Sequence, residues 1–533
     1  MARSALARAS VIGSLVSFPV AAAGQGRFSE ADQSAVRYAY PGVHTHGPCT
    51  GLQSFTGTDV TILATEAVSA SAGVPAYCEV RGVIAPEIEF RVRLPDGWNR
   101  RVYMTGNGGH AGEDLDQPYL VAQHHHALRR GFVTTATNTG HSAAKEPDAT
   151  FAYNNNQKLI DYAFRAVHLT VVLAKQMAVA YYDRPVTFSY WDGCSTGGRQ
   201  GLMEAQRYPE DFDGILAGAP VLDFTGTTIM GLWFDRVQEQ TPISVAKMTA
   251  VATAVEDKCD AVDGLRDGLI DDPRNCDFDP ARDVRSCPAG QSGIDCLTQA
   301  EAEALKKLYG GPTTSGGESI FPGLSVGSEH SGSAFGRETP TGWAGSVLSI
   351  GGRDAFDIAI AKSSMRYMVF PQDQPDWDAS TFDFDKGREQ LAALGSLVDA
   401  IDPDLADFRE RGAKLLMYFG WSDPLLMPLM GVHYYQSALE ANGPGTTDFF
   451  RLFMMPGVFH CGGGYGPDQF DGMTQLVEWV ENGTAPDAIQ ATQMENGNVV
   501  RTRPLCPYPQ VARYDGSGDV NDASNFSCQM PRR

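Results

Sequence analysis

The segment GCSTG at residues 193–197 sets Ser195 in a Gly-x-Ser-x-Gly frame. A serine hydroxyl is a weak nucleophile until a base takes its proton, and a sharp turn that lifts it clear of the backbone opens it to base and substrate. The flanking residues predict such a turn. Residues 185–191 (PVTFSYW) are mainly β-branched and aromatic, as a buried strand requires, whereas 199–207 (RQGLMEAQR) are rich in helix formers. Strand, turn and helix follow in order, with glycines where side chains would clash. Ser195 is thereby placed at the top of a sheet, and the N–H of Thr196 is free to face a reacting carbonyl.

A base and an acid to orient it are then needed downstream. Asp423, in GWSDP at 420–424, follows a strand-like run at 414–419, and His460 follows another at 449–454 through PGVF. Both emerge at the carboxyl ends of strands, where the sites of open α/β sheets collect. The order Ser, Asp, His is that of α/β-hydrolases. Cys194 precedes the serine and Cys461 follows the histidine. A disulfide between them would hold the two Cα atoms about 5–6 Å apart and so draw Ser195 to His460. A second oxyanion N–H is expected from GNGG at 106–109, with Gly109 favoured over Gly108, because glycine lets backbone approach a substrate closely.

Two further clusters invite a metal. His124, His125 and His126 are consecutive, so on a helix they diverge and make a poor ligand set. The run CDAVDGLRDGLI at 259–270 is better suited: Asp260, Asp263 and Asp267 with interspersed glycines resemble a calcium loop, since a hard cation takes several oxygens from a tightly turning backbone. The carbonyls of Leu265 and Leu269 are the natural additional ligands, and a bridge from Cys259 to Cys276 would close the loop. Its spacing departs from an EF-hand, and an acidic surface turn is the alternative.

Positioning these groups requires a sheet. Residues 88–94 alternate apolar and polar as a half-buried strand does, 102–104 begin another, and 214–217 add a further one. Residues 157–182 carry apolar side chains at helical spacing, predicting one long helix before the elbow strand. Strands alternating with helices argue for a doubly wound α/β fold. That rhythm lapses over 221–405, which is read as a large inserted lid domain containing the calcium loop; residues 24–220 and 406–533 form the α/β-hydrolase domain.

The first 23 residues carry two arginines, then an apolar stretch, and end in a run of three alanines, the pattern of a signal peptide. With ten cysteines, an even number, this predicts a secreted or periplasmic protein holding disulfides. A net charge of −22 without a basic block argues against nucleic acid as a partner. No membrane span is expected after the signal is removed.

The runs YWDGCSTGGRQGLMEAQRYPEDFDGILAGAP at 190–220, FHCGGGYG at 459–466 and RTRPLCPY at 501–508 resemble the tannase and feruloyl esterase family of secreted α/β-hydrolases, which includes esterases of mono(2-hydroxyethyl) terephthalate. The resemblance implies a triad of Ser195, Asp423 and His460, the Cys194–Cys461 bridge, and pairs Cys49–Cys78, Cys259–Cys276, Cys287–Cys296 and Cys506–Cys528. It implies a structural Ca2+ in the lid and a small-molecule substrate, an ester of an aromatic acid such as a feruloyl or galloyl ester. Within the lid, Trp343, Phe356, Phe370 and Trp377 are candidates for an aromatic clamp and Arg353 for pairing with a substrate carboxylate. A serine peptidase on a similar sheet and a non-catalytic binding protein are the rival readings.

Overall fold

The computed structural model describes residues 27–531 apart from residue 335; the expected signal peptide lies outside the described residues. Nine strands form one mixed sheet: β1 (Val60–Val68), β2 (Tyr77–Ile84), β3 (Ile88–Pro95), β4 (Arg101–Thr105), β5 (Val133–Thr137), β6 (Phe188–Cys194), β7 (Gly214–Gly218), β8 (Lys414–Gly420) and β9 (Phe450–Met455). Their spatial order is β1-β2-β3-β5-β4-β6-β7-β8-β9. The first four neighbours in that order pair antiparallel, and every pair from β5 to β9 is parallel. The chain leaves β4 toward one edge and returns on its other side as β6, so the order reverses between them. A crevice opens at such a switch point, outside the carboxyl ends of the strands.

The parallel strands are buried on both faces, which is why they read as near-continuous apolar runs. Tyr103, Tyr190, Leu216, Leu416 and Phe453 face one layer, built from the helix Gly472–Asn482 and the segment around Phe28. Their sequence neighbours Met104, Trp191, Ile215, Leu415 and Leu452 face the other, as a two-residue period dictates. The helix Thr196–Arg207 lies on this second layer.

The expected helix over 157–182 spans Asn156–Tyr182 but is interrupted by a π-turn at Asp161–Arg165. A π-turn frees backbone carbonyls from the regular ladder. The buried Arg199 collects them: its guanidinium donates to the carbonyls of Ala163 at 3.0 Å and Tyr162 at 3.3 Å. This helix is long and apolar enough to cross a membrane. Here many of its apolar side chains, among them Val167, Val171 and Met177, are buried within the protein, while Val179 is exposed.

Between β7 and β8 no described residue joins the nine-stranded sheet. That stretch is helical and looped, with a small ribbon, Gly332–Ala334 against Arg337–Thr339. It packs as part of one core: Trp343, Leu348 and Leu391 belong to the same apolar cluster as Trp191 and Phe419.

The candidate active site

Ser195 sits between β6 and the helix Thr196–Arg207 with φ 63° and ψ −121°, a conformation that costs a non-glycine residue on the order of 1–3 kcal/mol. Main-chain hydrogen bonds hold it there. Its N–H donates to Gly218 at 2.9 Å, while its carbonyl accepts from Arg199 at 3.0 Å and Val221 at 3.3 Å. The flanking glycines are needed for space: a Cβ on Gly193 would lie 2.6 Å from the Gly197 carbonyl, and one on Gly106 would lie 2.6 Å from Gly197 Cα. The elbow therefore presses directly against the loop that ends β4.

Asp423 lies just past β8 and is fully buried. Its Oδ1 accepts from the N–H groups of Leu425 and Leu426, both at 2.9 Å, and its Oδ2 accepts from His460 Nδ1 at 2.8 Å. An ionised carboxylate only accepts, so Nδ1 carries the imidazole proton and Nε2 is left with its lone pair. Cys194 and Cys461 are joined, with Cα atoms 5.9 Å apart. The bridge fastens the residue before Ser195 to the residue after His460. Cys461 itself adopts φ 63°, and Gly462, Gly463 and Gly464 also have positive φ, so the histidine is carried on a tightly folded loop. Asp468 holds that loop by accepting from Gly463 N–H at 2.8 Å.

The 106–109 loop stands across from the elbow. Gly108 N–H donates to Glu113 at 2.9 Å and Asn107 N–H to Gln200 at 3.1 Å, so both are occupied. Gly109 N–H has no acceptor among the described residues. Thr196 is the first residue of its helix, where an N–H has no intrahelical partner. The carbonyl of Gly109 is pinned by the hydroxyls of Thr196 and of Tyr162, the latter at 3.2 Å from the π-turn. Glu113 is half-buried, and the loss of solvent around its carboxyl raises its pKa.

The remaining three expected pairings are present together with Cys259–Cys276: Cys49–Cys78, Cys287–Cys296 and Cys506–Cys528. In the acidic loop, Asp260 accepts from the N–H groups of Asp267 and Gly268, Asp263 from Leu265, and Asp267 from Leu269. Asp267 also pairs with Arg503. The carbonyls of Leu265 and Leu269 meet no donor among the described residues. Burial, and next the neighbouring Asp263, push the Asp271 carboxyl well up. Carboxylates crowded together beside open carbonyls suit a hard cation's demand for oxygen.

Trp343, expected as an aromatic clamp, is instead fully buried, packs at a tilt against Tyr309 and donates its indole N–H to Ser328 at 2.9 Å, so it is core and not a clamp offered to a ligand. Arg353 lies exposed on a turn closed by its own bridge to Ile350. His124 is buried against Arg93, Thr134 and Thr105, a structural role that accounts for its ring nitrogens. Glu113, Tyr162, Arg199 and Gln200 are supporting residues that sequence reasoning missed. Their partners lie far away in the chain, and no local pattern signals them.

The family profile described as tannase and feruloyl esterase matches residues 71–529. The chain is 35% identical over 531 residues to a mono(2-hydroxyethyl) terephthalate hydrolase of Piscinibacter sakaiensis, covering 88% of this chain and 87% of that protein. It is 31% identical over 464 residues to feruloyl esterase B of Aspergillus niger, covering 82% of each. The crystal structure of feruloyl esterase B from Aspergillus oryzae superposes with a TM-score of 0.77 at 27% identity, covering 90% of this chain and 99% of that one.

Proposed function

For a chain that belongs to the tannase and feruloyl esterase family of ester hydrolases, we propose a secreted enzyme that cleaves esters of aromatic acids, feruloyl or galloyl esters among them, through an acyl-enzyme on Ser195. The observation that carries this reading is the pairing of His460 with buried Asp423 while Cys461 is bonded to Cys194. Five disulfides favour an oxidising compartment.

Ser195 Oγ attacks the ester carbonyl as His460 Nε2 accepts its proton. Asp423, held by Leu425 and Leu426, keeps the ring in the tautomer with Nε2 unprotonated and stabilises the imidazolium that forms. The N–H groups of Thr196 and Gly109 receive the negative charge that develops on the carbonyl oxygen. Protonated His460 then gives its proton to the departing alcohol, and water activated by the same nitrogen releases the acid. The insert over 221–405 serves as the lid that shapes the acid and alcohol subsites. A calcium ion held by Asp260, Asp263 and Asp267 with the carbonyls of Leu265 and Leu269 would fasten the loop closed by Cys259 and Cys276.

Ser195→Ala should abolish turnover of methyl ferulate and methyl gallate and prevent labelling by a fluorophosphonate. Near wild-type turnover in that variant would refute the nucleophile. Comparing methyl ferulate, methyl gallate and mono(2-hydroxyethyl) terephthalate tests the substrate class, and a clear preference for the terephthalate monoester would overturn the phenolic assignment.

A further inference from the structure

Beneath the elbow helix, away from the 106–109 loop and the His460 loop, three side chains with metal-binding chemistry converge. His168 comes from the helix Ala166–Tyr182, Glu204 from the helix Thr196–Arg207, and Asp211 from the loop that follows. One ligand atom from each lies within 4.8 Å of the other two, and among the described residues no other such trio of His, Cys, Asp or Glu exists.

The burial of this trio sets it apart from an acidic surface patch. Glu204 is 1% exposed and Asp211 2%. Both carboxylate oxygens of Glu204 are inaccessible and have no hydrogen-bond partner. Two buried carboxylates face one another at a cost that structures offset with a cation or a proton. The ammonium nearby, Lys175, is engaged by the main-chain carbonyls of Glu210 and Asp211 rather than by either carboxylate. His168 Nδ1 is 2.6 Å from Asp211 Oδ2, its ring plane is fixed by stacking on Tyr208 with centroids 3.9 Å apart, and its side chain is 25% exposed. The imidazole thus offers a nitrogen inward and an entry from solvent outward.

We propose that His168, Glu204 and Asp211 form a second cation site, distinct from the acidic loop, that takes a divalent first-row transition ion such as Zn2+. One imidazole nitrogen with two carboxylate oxygens is a donor set for zinc or manganese, whereas calcium takes oxygen almost alone. Nδ1, the nitrogen turned toward Asp211, is the ligating atom, its proton moving to Nε2. The bound ion clamps the helix Thr196–Arg207 to the helix Ala166–Tyr182, so its effect falls on the rigidity of the elbow's support and not on bond making.

The test uses the whole protein saturated with Ca2+, so that the acidic loop does not compete for the added metal. Titration with Zn2+ should show one site per chain and a rise in melting temperature, and Co2+ should give a visible spectrum with an imidazole ligand. Glu204→Gln and His168→Gln, the latter at a partly exposed position, should each weaken Zn2+ binding at least tenfold and remove the Zn2+-dependent rise. The site is overturned if calcium-saturated wild type binds no Zn2+, which would leave Glu204 and Asp211 sharing a proton, or if a folded variant binds as tightly as wild type. Should Glu204→Gln fail to fold, His168→Gln decides.

Discussion

Removing the Cys194–Cys461 bridge as Cys194→Ala with Cys461→Ala separates the two things it does. The bridge spans 267 residues, and closing a loop of that length removes enough denatured-state entropy to stabilise the fold by at most about 6 kcal/mol in the chain-entropy model. For cooperative unfolding of a chain this long, with an unfolding entropy of roughly 1.1 kcal/mol/K, the melting temperature should fall by about 5 °C. Activity should suffer separately. His460 keeps its bond to Asp423, which does not depend on the sulfurs, but Ser195 loses its covalent registration against the imidazole. A displacement near 1 Å costs on the order of 10²-fold, so kcat should drop by that order while KM changes little. Calorimetry and steady-state kinetics on methyl ferulate, run on the same preparation, read both effects. A variant with wild-type melting temperature and wild-type kcat would refute the tether as a device for either stability or catalysis.

Four other outcomes are expected. Asp423→Asn, which can no longer hold the His460 tautomer, should lower kcat about 10⁴-fold with circular dichroism unchanged; a small loss would remove Asp423 from the triad. Arg27 is buried against Asp192 on the elbow strand, where Tyr103 also donates to that carboxylate at 2.6 Å. Arg27→Ala leaves the aspartate without its cation and should cost about 3–5 kcal/mol, read as a lower urea midpoint; an unchanged midpoint contradicts it. Glu329 is fully buried, and burial raises its pKa from 4.5 to about 7. The folded carboxyl keeps a proton that the unfolded chain releases, so stability present below pH 4.5 falls by about 3 kcal/mol by pH 7. Glu329→Gln should flatten that window, and the same slope in both proteins would exclude Glu329 as its source. Chelating calcium with EGTA should lower the melting temperature, and Asp263→Asn should make the protein insensitive to the chelator; indifference of wild type would dismiss the loop as a calcium site.

What the sequence determined by itself are the features encoded locally. The glycines around Ser195 announce the elbow because only glycine clears the 2.6 Å approaches there. The runs that became β6 to β9 are visible because strands covered on both faces must be apolar throughout. The strand β5, VTTAT, escaped notice because its threonines resemble a loop in composition; they are fully buried only because β3 and β4 pair on either side. The cysteines next to Ser195 and His460 are the exception that carried tertiary information in the sequence, since a covalent bond between them is a distance restraint. Tertiary structure alone decided the rest. It made Trp343 core, broke the long helix with a π-turn capped by Arg199, occupied Gly108 with Glu113, and brought His168, Glu204 and Asp211 together. Each depends on side chains from separate elements sharing one small volume, and adjacency along a chain holds no record of which surfaces meet when it folds.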